Sequence, residues 1–300
     1  MKKGQHYYFN KSNLISPKKL GKPAMFSFLF VPLIFYGWRI SIRPVAIELQ
    51  ETLLPGLTYQ RKVHSKPRPH IVNAVTIDLA NGRIQPLVSP AISGNNLAMK
   101  TSEFIKKYDL DLAINGSFFY PFTENTPWDY SPRPGDTAHA LGENISDSIR
   151  YGKATKQWNV LCFAKSNLAQ IALNNRCPEN TVQGVAGQEI LVKNGVSIID
   201  YETKAYGRAA VGTNKEGTKL WIFVVDGKQP FYSEGVTLTE LAQIAADLGC
   251  DRAINLDGGG STTLAVKQSG KVKLLNATIH TKIPMRERPI ANHLGFKLIE

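Results

Sequence analysis

Two apolar stretches of the sequence end in the same order of residue types, an Asn followed by Gly. The first is AINGS over 113–117, and the second is AINLDGGGST over 253–262. An Asn at the end of a strand can direct its amide into a cleft, and neighbouring glycines let a ligand approach the backbone closely. We therefore predict that Asn115, with Gly116 beside it, and Asn255 contribute to one site.

Asp257 has the widest chemical range of the residues in the second stretch. Its carboxylate is followed by Gly258, Gly259 and Gly260, so its own segment gives it little side-chain cover. Such a group can serve as a general acid or base, a nucleophile or a metal ligand. It can also be the acceptor of an Asx turn that only shapes the loop, and the sequence leaves both interpretations open.

The glycines and the two hydroxyl residues after them favour binding of an anion. Consecutive N–H groups at Gly258, Gly259 and Gly260 can form a nest for a phosphate, and Ser261 and Thr262 add hydroxyl donors. A tight structural turn has the same composition. The stretch lacks the Lys of a P-loop, so it does not imply nucleotide binding.

The elements that must position these residues follow from hydrophobic periodicity and capping signals. Thr237 and Glu240 form a capping box for a helix that reaches Leu248, and Gly249 ends this helix. A strand over 252–256 follows directly. Further elements are predicted as strands at 110–114, 159–163, 189–193, 219–225, 264–266, 271–275 and 293–299, a helix over 97–108, and a hairpin over 71–89 with Asn81-Gly82 as its turn.

A Pro-rich segment over 120–142 lies between the first stretch and the later strands. It contains four prolines and the aromatic residues Phe122, Trp128 and Tyr130. A long loop without regular structure is usually functional or mobile in a compact domain. We predict a sugar-binding wall here, with Trp128 or Tyr130 stacked on the apolar face of a sugar.

The excess of positive charge lies in the first part of the chain. The net charge is +12, but residues 1–43 contain eight Lys or Arg and no acid, which leaves 28 basic and 24 acidic residues elsewhere. Lysines before the short uncharged run 23–38 are typical of an export signal, either cleaved or kept as an anchor. The leader predicts an extracytoplasmic protein with a membrane association through residues 23–42, and it gives no support to a nucleic-acid partner.

The three cysteines fit an oxidising compartment. Cys162 and Cys177 are fifteen positions apart, and we predict a disulfide between them. Cys250 ends an apolar helical pattern, where a buried and inert thiol is expected.

A change in composition near residue 71 suggests the domain organisation. Residues 44–70 contain four prolines among polar and basic residues, which predicts a linker or stalk. The regular elements start at 71. We predict one α+β domain over 71–300, with a mixed sheet and a few packing helices, preceded by the stalk and by the leader 1–43.

The order of the motifs resembles the phosphodiester glycosidase family. The motifs are AINGSFF (113–119), GRAAVG (207–212), VVDGK (224–228), SEGVTLTELAQIAADLG (233–249), AINLDGGGSTTL (253–264) and RPIAN (288–292). The NLDGGGS block with the capped helix before it is the specific part. Ser117 departs from the family, because many members have a second Gly there.

The resemblance implies roles for several residues. Arg208 and Arg288 lie where the family carries arginines that can hold the substrate phosphate, a task that suits the planar guanidinium; the alternative is a surface-paired arginine. Asp226 is either a second carboxylate or a turn former. The resemblance makes Asp257 the reacting carboxylate and lets the two Asn side chains orient sugar or phosphate.

The function that this implies is removal of a sugar from a phosphodiester-linked glycoconjugate. The bond between the anomeric carbon and the phosphodiester oxygen breaks, and a phosphomonoester leaves. The substrate would be a sugar phosphodiester or an envelope glycan such as exopolysaccharide. The sequence requires no cofactor and leaves a divalent metal open.

Two other functions fit parts of the sequence. A non-catalytic module that binds phosphoglycan or exopolysaccharide during polysaccharide assembly would keep the aromatic segment and the arginines but would not need Asp257. A metal-dependent phosphodiesterase would need clustered ligands, and the histidines show no such spacing.

Overall fold

The computed structural model describes residues 22–80 and 82–299, and it is built mainly from strands. The chain divides into two compact units, Met1–Trp38 and Arg39–Glu300. The described residues form three α-helices, α1 (Lys22–Ser41), α2 (Thr101–Tyr108) and α3 (Leu238–Asp247). Within the described residues, no helix has both the length and the apolar character needed to cross a bilayer. The part of the predicted leader before Lys22 lies outside the described residues.

The strands are short and spread over the whole second unit. Those of the first half are β1 (Leu49–Leu54), β2 (Leu57–His64), β3 (His70–Asp78), β4 (Ile84–Val88), β5 (Asn96–Leu97), β6 (Leu112–Asn115), β7 (Phe119–Tyr120), β8 (Thr123–Glu124), β9 (Tyr130–Ser131), β10 (Thr137–Ala140), β11 (Asn144–Ser146) and β12 (Ile149–Tyr151). Those of the second half are β13 (Asn159–Ala164), β14 (Ala169–Ala172), β15 (Thr181–Gly187), β16 (Ile190–Lys193), β17 (Val196–Ser197), β18 (Arg208–Thr213), β19 (Lys219–Val225), β20 (Arg252–Asn255), β21 (Leu264–Gln268), β22 (Lys271–Leu274), β23 (Ile279–His280), β24 (Ile283–Pro284) and β25 (His293–Leu298).

Three larger sheets carry the fold. The first has eight strands in the order β1-β2-β3-β19-β18-β20-β16-β17, and two have five, in the orders β22-β21-β6-β25-β4 and β12-β11-β15-β13-β14. Every strand pairing within the described residues is antiparallel. The prediction of a mixed sheet is therefore wrong, although the α+β class holds. Short links such as that between β18 and β19 suit antiparallel neighbours, whereas parallel neighbours need a long crossover.

The core lies where the inner faces of these three sheets meet. Strand β19 illustrates how the two faces of a sheet are covered, because alternate side chains point to opposite faces of a strand. Leu220, Ile222 and Val224 belong to the central core, while Phe223 and Val225 pack under α3 on the outer face. Burial of one such side chain contributes roughly 1.5–3 kcal/mol. Both faces of the eight-stranded sheet are thus covered, and α2 covers the outer face of the sheet that contains β6.

The predicted stalk over 44–70 is wrong for most of its length. Strands β1 and β2 extend the eight-stranded sheet, and Tyr59 is fully buried, with its hydroxyl donating to Asn73 Oδ1 at 2.7 Å. The prolines fall in the connections, Pro55 between β1 and β2 and two more between β2 and β3, so they do not interrupt the strands. The folded unit therefore begins before residue 71.

The predicted hairpin over 71–89 is also wrong. Strand β3 pairs with β2 and β19, whereas β4 pairs with β25 in another sheet. Gly82 has φ of +67°, so the segment does turn there, but it passes from one sheet to the next. Asn81 lies outside the described residues.

Most other predicted elements are confirmed. Helix α3 begins after Thr237, whose hydroxyl accepts from the Glu240 N–H, and the Glu240 side chain returns a bond to the Thr237 N–H. Helix α2 starts only at Thr101, because Asn96–Leu97 pairs with β10 instead. The strands predicted from residue 159 onward form close to the predicted bounds.

The cysteines behave as predicted. Cys162 and Cys177 form a disulfide that lies in a small buried cluster with Ile145 and Val160. Cys250 is free and buried, and burial raises the pKa of its thiol.

Candidate active site

The ends of β6 and β20 come from different sheets and meet at the glycine turn. Asn115 ends β6, and its Nδ2 donates to the carbonyl of Asp257 at 2.6 Å, while its Oδ1 accepts from the Thr263 N–H at 3.1 Å. Both polar atoms therefore fasten the turn. Asn115 therefore positions the turn, and the prediction that its amide faces a ligand is wrong. Gly116 lies against Asn292, and a Cβ there would be 2.6 Å from Asn292 Oδ1.

The glycine turn is shaped by what packs against it. Gly259 has φ of +61°, and a Cβ on it would overlap the ring of Tyr206, while a Cβ on Gly260 would overlap the guanidinium of Arg288. Only glycine fits both positions without displacement of these side chains. The turn thus brings its backbone directly under the Tyr206 ring and the Arg288 fork.

Two of the three N–H groups of the predicted anion nest, those of Gly258 and Gly259, have partners within the chain. The N–H groups of Gly258, Gly259, Ser261 and Thr262 donate to Asp257 Oδ1, Gly207 O, Gly258 O and Gly259 O, respectively. These four donors are satisfied within the chain, so they hold the turn and are not directed at a phosphate. Thr262 lies behind the turn, with its hydroxyl oxygen buried.

A cavity of about 240 Å³ opens on the other side of the turn. It brings together four of the predicted site residues: Arg208, Asp257, Gly258 and Arg288. The remaining lining is mostly aromatic and consists of Phe118, Phe119, Phe122 and Tyr206, with Glu124. The cavity thus combines two arginines and two carboxylates with apolar walls, and such a lining is typical of a ligand site.

Asp257 is the carboxylate at the base of this cavity. Its Oδ1 accepts from the Gly258 N–H at 2.8 Å. Burial raises the pKa of Asp257 to about 6, against the opposing effects of the Ser261 hydroxyl, which hydrogen-bonds it, and of Arg288. A carboxylate that titrates near neutral pH is suited to acid–base chemistry.

Arg288 is buried and fixed on several sides. Its Nη1 donates to Ser261 Oγ at 3.1 Å, and its Nη2 forms an ion pair with Glu124. The guanidinium lies 4.4 Å from the centre of the Phe122 ring. Arg288 therefore joins Glu124 to Ser261 in the glycine turn.

Glu124 and His280 complete the surroundings of Arg288. Burial raises the pKa of the Glu124 carboxyl, but Arg288 and the Thr281 N–H outweigh it, so the pKa lies below its usual value. Burial and the charge of Arg288 lower the pKa of His280 to about 4. At neutral pH Glu124 is therefore ionised and His280 is neutral.

Arg208 enters the cavity from the start of β18. Its Nε and Nη2 donate to the carbonyls of Val236 and Lys204 at 3.4 and 3.1 Å, and burial lowers its pKa. Asn255 lies outside the cavity, with Nδ2 donating to Glu189 Oε2 at 2.8 Å. The structure thus gives Asn255 a supporting position.

Two further predicted residues are absent from the lining. Asp226 is fully buried beneath the turn, where its Oδ1 accepts from Asn276 Nδ2 at 2.9 Å, and the same Nδ2 donates to the Thr262 carbonyl. Burial raises the pKa of Asp226 to about 6. Trp128 is 80% exposed, and neither Trp128 nor Tyr130, the two residues predicted to stack on a sugar, lines the cavity.

The segment 120–142 is more ordered than predicted, and it supplies a residue that sequence reasoning missed. Short strands β8, β9 and β10 run through it, and Glu124 ends β8. Glu124 stands in no recognisable motif, and it reaches Arg288 across 164 positions of sequence. Tyr206 was missed too, although it directly precedes the GRAAVG motif.

Among residues 22–80 and 82–299, no three His, Cys, Asp or Glu side chains are grouped as the ligands of a metal ion would be.

Comparison with known families gives one match, to the family described as phosphodiester glycosidase, over residues 108–297. A search of curated proteins found no match.

Comparison with solved structures supports the same fold. The catalytic domain of zebrafish N-acetylglucosamine-1-phosphodiester alpha-N-acetylglucosaminidase, described as auto-inhibited by its pro-peptide, is 20% identical, with a TM-score of 0.57 over 87% of this chain and 92% of that chain. A hypothetical protein from Synechocystis is 14% identical, with a TM-score of 0.57 over 84% of this chain; the match spans 64% of that protein's chain. A protein from Burkholderia pseudomallei is 14% identical, with a TM-score of 0.55 over 76% and 74% of the two chains.

Proposed function

Because the chain belongs to the phosphodiester glycosidase family, we propose that it hydrolyses the bond between the anomeric carbon of a sugar and an oxygen of a phosphodiester. The observation that carries this proposal is the shared cavity, in which the Asp257 carboxylate lies with Arg208 and Arg288. A phosphodiester and an anomeric carbon are adjacent in the substrate, so one small cavity must hold both a cationic and a carboxylate group.

Arg208 and Arg288 bind the phosphate in this proposal. A guanidinium presents two parallel N–H groups that match two phosphoryl oxygens, and it stays charged at any relevant pH. Contacts to Ser261 and Glu124 fix the Arg288 fork before substrate arrives, which reduces the reorganisation needed in the transition state. The phosphate then leaves as a phosphomonoester that the two cations stabilise.

The sugar occupies the aromatic side of the cavity. Phe118, Phe119 and Phe122 can contact the apolar face of a ring, and the proposal places its anomeric carbon toward Asp257. The C–O bond breaks with its electron pair on the phosphate oxygen, and the oxygen of water joins the carbon. Asp257 either attacks this carbon first or takes the proton from water, and in both cases it must be ionised.

A location outside the cytoplasm fits the buried disulfide. Disulfides such as Cys162–Cys177 persist in oxidising compartments, which agrees with the export signal predicted over 1–43. Phosphodiester-linked glycans of the envelope or exopolysaccharide are the substrate class available there.

Isotope labelling tests the bond that is broken. The purified protein is incubated with sugar phosphodiesters such as UDP-N-acetylglucosamine in oxygen-18 water, and the products are analysed by mass spectrometry. Label in the sugar is expected, because water joins the anomeric carbon. Label in the phosphate would overturn the proposal, and binding without any product would favour the non-catalytic binding module.

A further inference from the structure

Lys228 is an exposed cation beside the proposed catalytic cavity, and the proposed function assigns it no role. It comes shortly after the end of β19, and its Nζ lies 4.6 Å from the centre of the Tyr206 ring, which lines the cavity. Among the residues that the structure describes, the Lys228 ammonium group has no ion pair and no hydrogen-bond acceptor. Its charge is therefore not matched by a carboxylate in direct contact.

Close backbone packing fixes the position from which Lys228 extends. A Cβ on the preceding Gly227 would lie 2.1 Å from the backbone nitrogen of Gly207, so the two segments pack with no room for a side chain. The carbonyl of Gly207 accepts the N–H of Gly259 at 2.7 Å, in the turn that follows Asp257. Lys228 itself has φ of +59°, a left-handed conformation that is costly for a long side chain and is found at binding sites. The backbone thus holds this cation beside the glycine turn.

The charge of Lys228 acts on both carboxylates of the cavity. Burial raises the pKa of Asp257, and the charges of Arg288 and Lys228 oppose this effect. Burial also raises the pKa of Glu124, and the same two cations act against it. Asp257 and Glu124 belong to separate segments and both line the cavity. An exposed cation that acts on both therefore lies at the mouth of the cavity.

The charges that line the cavity cancel one another. Two cations and two ionised carboxylates line it at neutral pH: Arg208, Arg288, Glu124 and Asp257. Glu124 is ion-paired with Arg288, and the charge of Glu189 acts on Arg208. The lining thus has no positive excess for an anionic substrate, and a further cation at the mouth would supply it.

The proposed reaction also increases the negative charge of the phosphate. A phosphodiester carries one negative charge. When the bond between the anomeric carbon and oxygen breaks, the electron pair stays on the phosphate oxygen, and the phosphomonoester carries close to two. The oxygen of water joins the carbon, and one proton of the water is released. A cation that contacts the phosphate therefore stabilises the transition state more than the bound substrate, and this difference accelerates the reaction.

We propose that the ammonium group of Lys228 contacts the substrate phosphate and stabilises the second negative charge that this phosphate acquires. The inference rests on the proposed function and adds a third cation to its phosphate site. Arg208 and Arg288 are held by carbonyls and by Glu124, so they orient the diester. The N–H groups of Lys228 bind no described residue, and they can donate to the leaving oxygen as its charge develops.

Substitution of Lys228 tests its role in the reaction. Lys228→Gln should lower kcat/KM on a sugar phosphodiester by at least about tenfold, mainly through kcat, because a hydrogen bond to a charged group is lost in the transition state. Lys228→Arg keeps the charge and should retain most of the activity. Lys219→Gln is the matched control, since Lys219 is an exposed cation at the opposite end of β19, 5.6 Å from the Trp221 ring centre. Unchanged kcat/KM in Lys228→Gln would overturn the inference.

A pair of ligands that differ by one charge tests the contact without turnover. Calorimetric titration at pH 8 compares phenyl phosphate, which carries close to two negative charges, with methyl phenyl phosphate, which carries one. The wild-type protein should bind phenyl phosphate about tenfold more tightly, through one further charge-assisted contact. Lys228→Gln should abolish most of this preference, whereas Lys228→Arg and Lys219→Gln should retain it.

The two assays distinguish failure of this inference from failure of the proposed function. No preference in the wild type, or a preference that survives Lys228→Gln, overturns the inference even when a sugar phosphodiester is cleaved. If no sugar phosphodiester is cleaved, the proposed function has failed, and a preference lost in Lys228→Gln still assigns the anion contact to Lys228. Lys228→Gly, which suits the left-handed backbone, replaces Lys228→Gln in either assay should the latter fail to fold.

Discussion

At the scale of single residues, the proposed catalytic cavity holds two carboxylates in opposite environments. Burial raises the pKa of Asp257 to about 6, whereas contact with Arg288 and a backbone N–H keeps the pKa of Glu124 below its usual value. In the proposed mechanism, this separation of the two pKa values assigns the acid–base role to Asp257. Asp257 is the carboxylate whose ionisation changes near neutral pH, and Glu124 remains the fixed partner of Arg288.

Asp257→Asn separates a reacting carboxylate from a turn former. Asn keeps the size and can still accept the Gly258 N–H bond, but it can act neither as base nor as nucleophile. We expect kcat to fall by at least about 10²-fold. Steady-state kinetics measure this fall. If Asp257→Asn remains active, the mechanism is wrong and Asp257 serves only as an Asx-turn acceptor.

The activity should depend on pH through the ionisation of Asp257. Since the reaction needs the ionised carboxylate, kcat/KM should rise with pH through an apparent pKa of about 6 and level off above it. Asp226 also has a pKa of about 6, so Asp226→Asn is the control. The fall of kcat/KM at acidic pH should persist in Asp226→Asn. If it disappears in that variant, Asp226 causes it and Asp257 does not.

The same ionisation has the opposite effect on stability. The folded-state pKa of Asp257 is raised from 3.8, so folding favours the protonated form, and the free energy of unfolding should fall as pH rises from about 4 to 6. Urea unfolding of the wild type and of Asp257→Asn at pH 4 and pH 7 measures this. The variant should lose less stability over that interval, and identical losses would contradict the assigned pKa.

At the scale of elements, the site is made by strand ends that come from two sheets. Strand β20 delivers the turn, β18 delivers Arg208, and β6 delivers Asn115, which fastens the turn to its own sheet. Asp226, at the end of β19, supports the turn from below through Asn276. The geometry of the cavity therefore depends on residues that do not line it.

Gly260→Ala should show how tightly the turn and Arg288 fit together. The added Cβ would overlap the guanidinium, so Arg288 must move away from Ser261. We expect a raised KM for the phosphodiester and a loss of roughly 1–3 kcal/mol in the free energy of unfolding, as for other overpacked sites. Kinetics and urea unfolding measure these effects.

Gly37→Ala is the matched control for this change, because a Cβ at Gly37 meets nothing within 4 Å. It should leave KM unaltered, since Gly37 belongs to helix α1 and not to the cavity. A Gly260→Ala enzyme with unchanged KM would show that the turn does not set the position of Arg288.

At the scale of the whole molecule, the disulfide and the proposed active site lie in separate regions. The Cys162–Cys177 disulfide lies in a buried cluster on the five-stranded sheet that contains β13, and neither cysteine lines the catalytic cavity. The bond closes a loop of 15 positions, for which loop-closure entropy gives about 3 kcal/mol.

The double substitution Cys162→Ser and Cys177→Ser should therefore lower the thermal midpoint while the folded enzyme keeps its kcat. Calorimetry and kinetics below the unfolding transition measure the two quantities. Thiol labelling provides the control: the denatured, unreduced wild type should react at Cys250 alone. Three reactive thiols, or a kcat that falls in parallel with stability, would contradict this separation.

Local signals determined much of the fold from the sequence alone. The capping box of Thr237 and Glu240, the apolar runs of β19 and β25, and the NLDGGGS turn are all formed by residues close together in the chain. Capping, alternation and turn chemistry act over a few residues, so they can be recognised without a structure. The motif order likewise led to the family and to Asp257, Arg208 and Arg288.

Only the tertiary structure decided which side chains share the cavity and which sheet each strand enters. Glu124 lies in a Pro-rich segment without a motif, and its partner Arg288 is 164 positions away. Asn115 and Asn255 look alike in sequence, yet one binds the turn and the other Glu189. Strands β1 and β2 were not predicted, because the prolines in their connections suggested a stalk. Long-range contacts of this kind depend on how the three sheets pack, and no local pattern of residues encodes that packing.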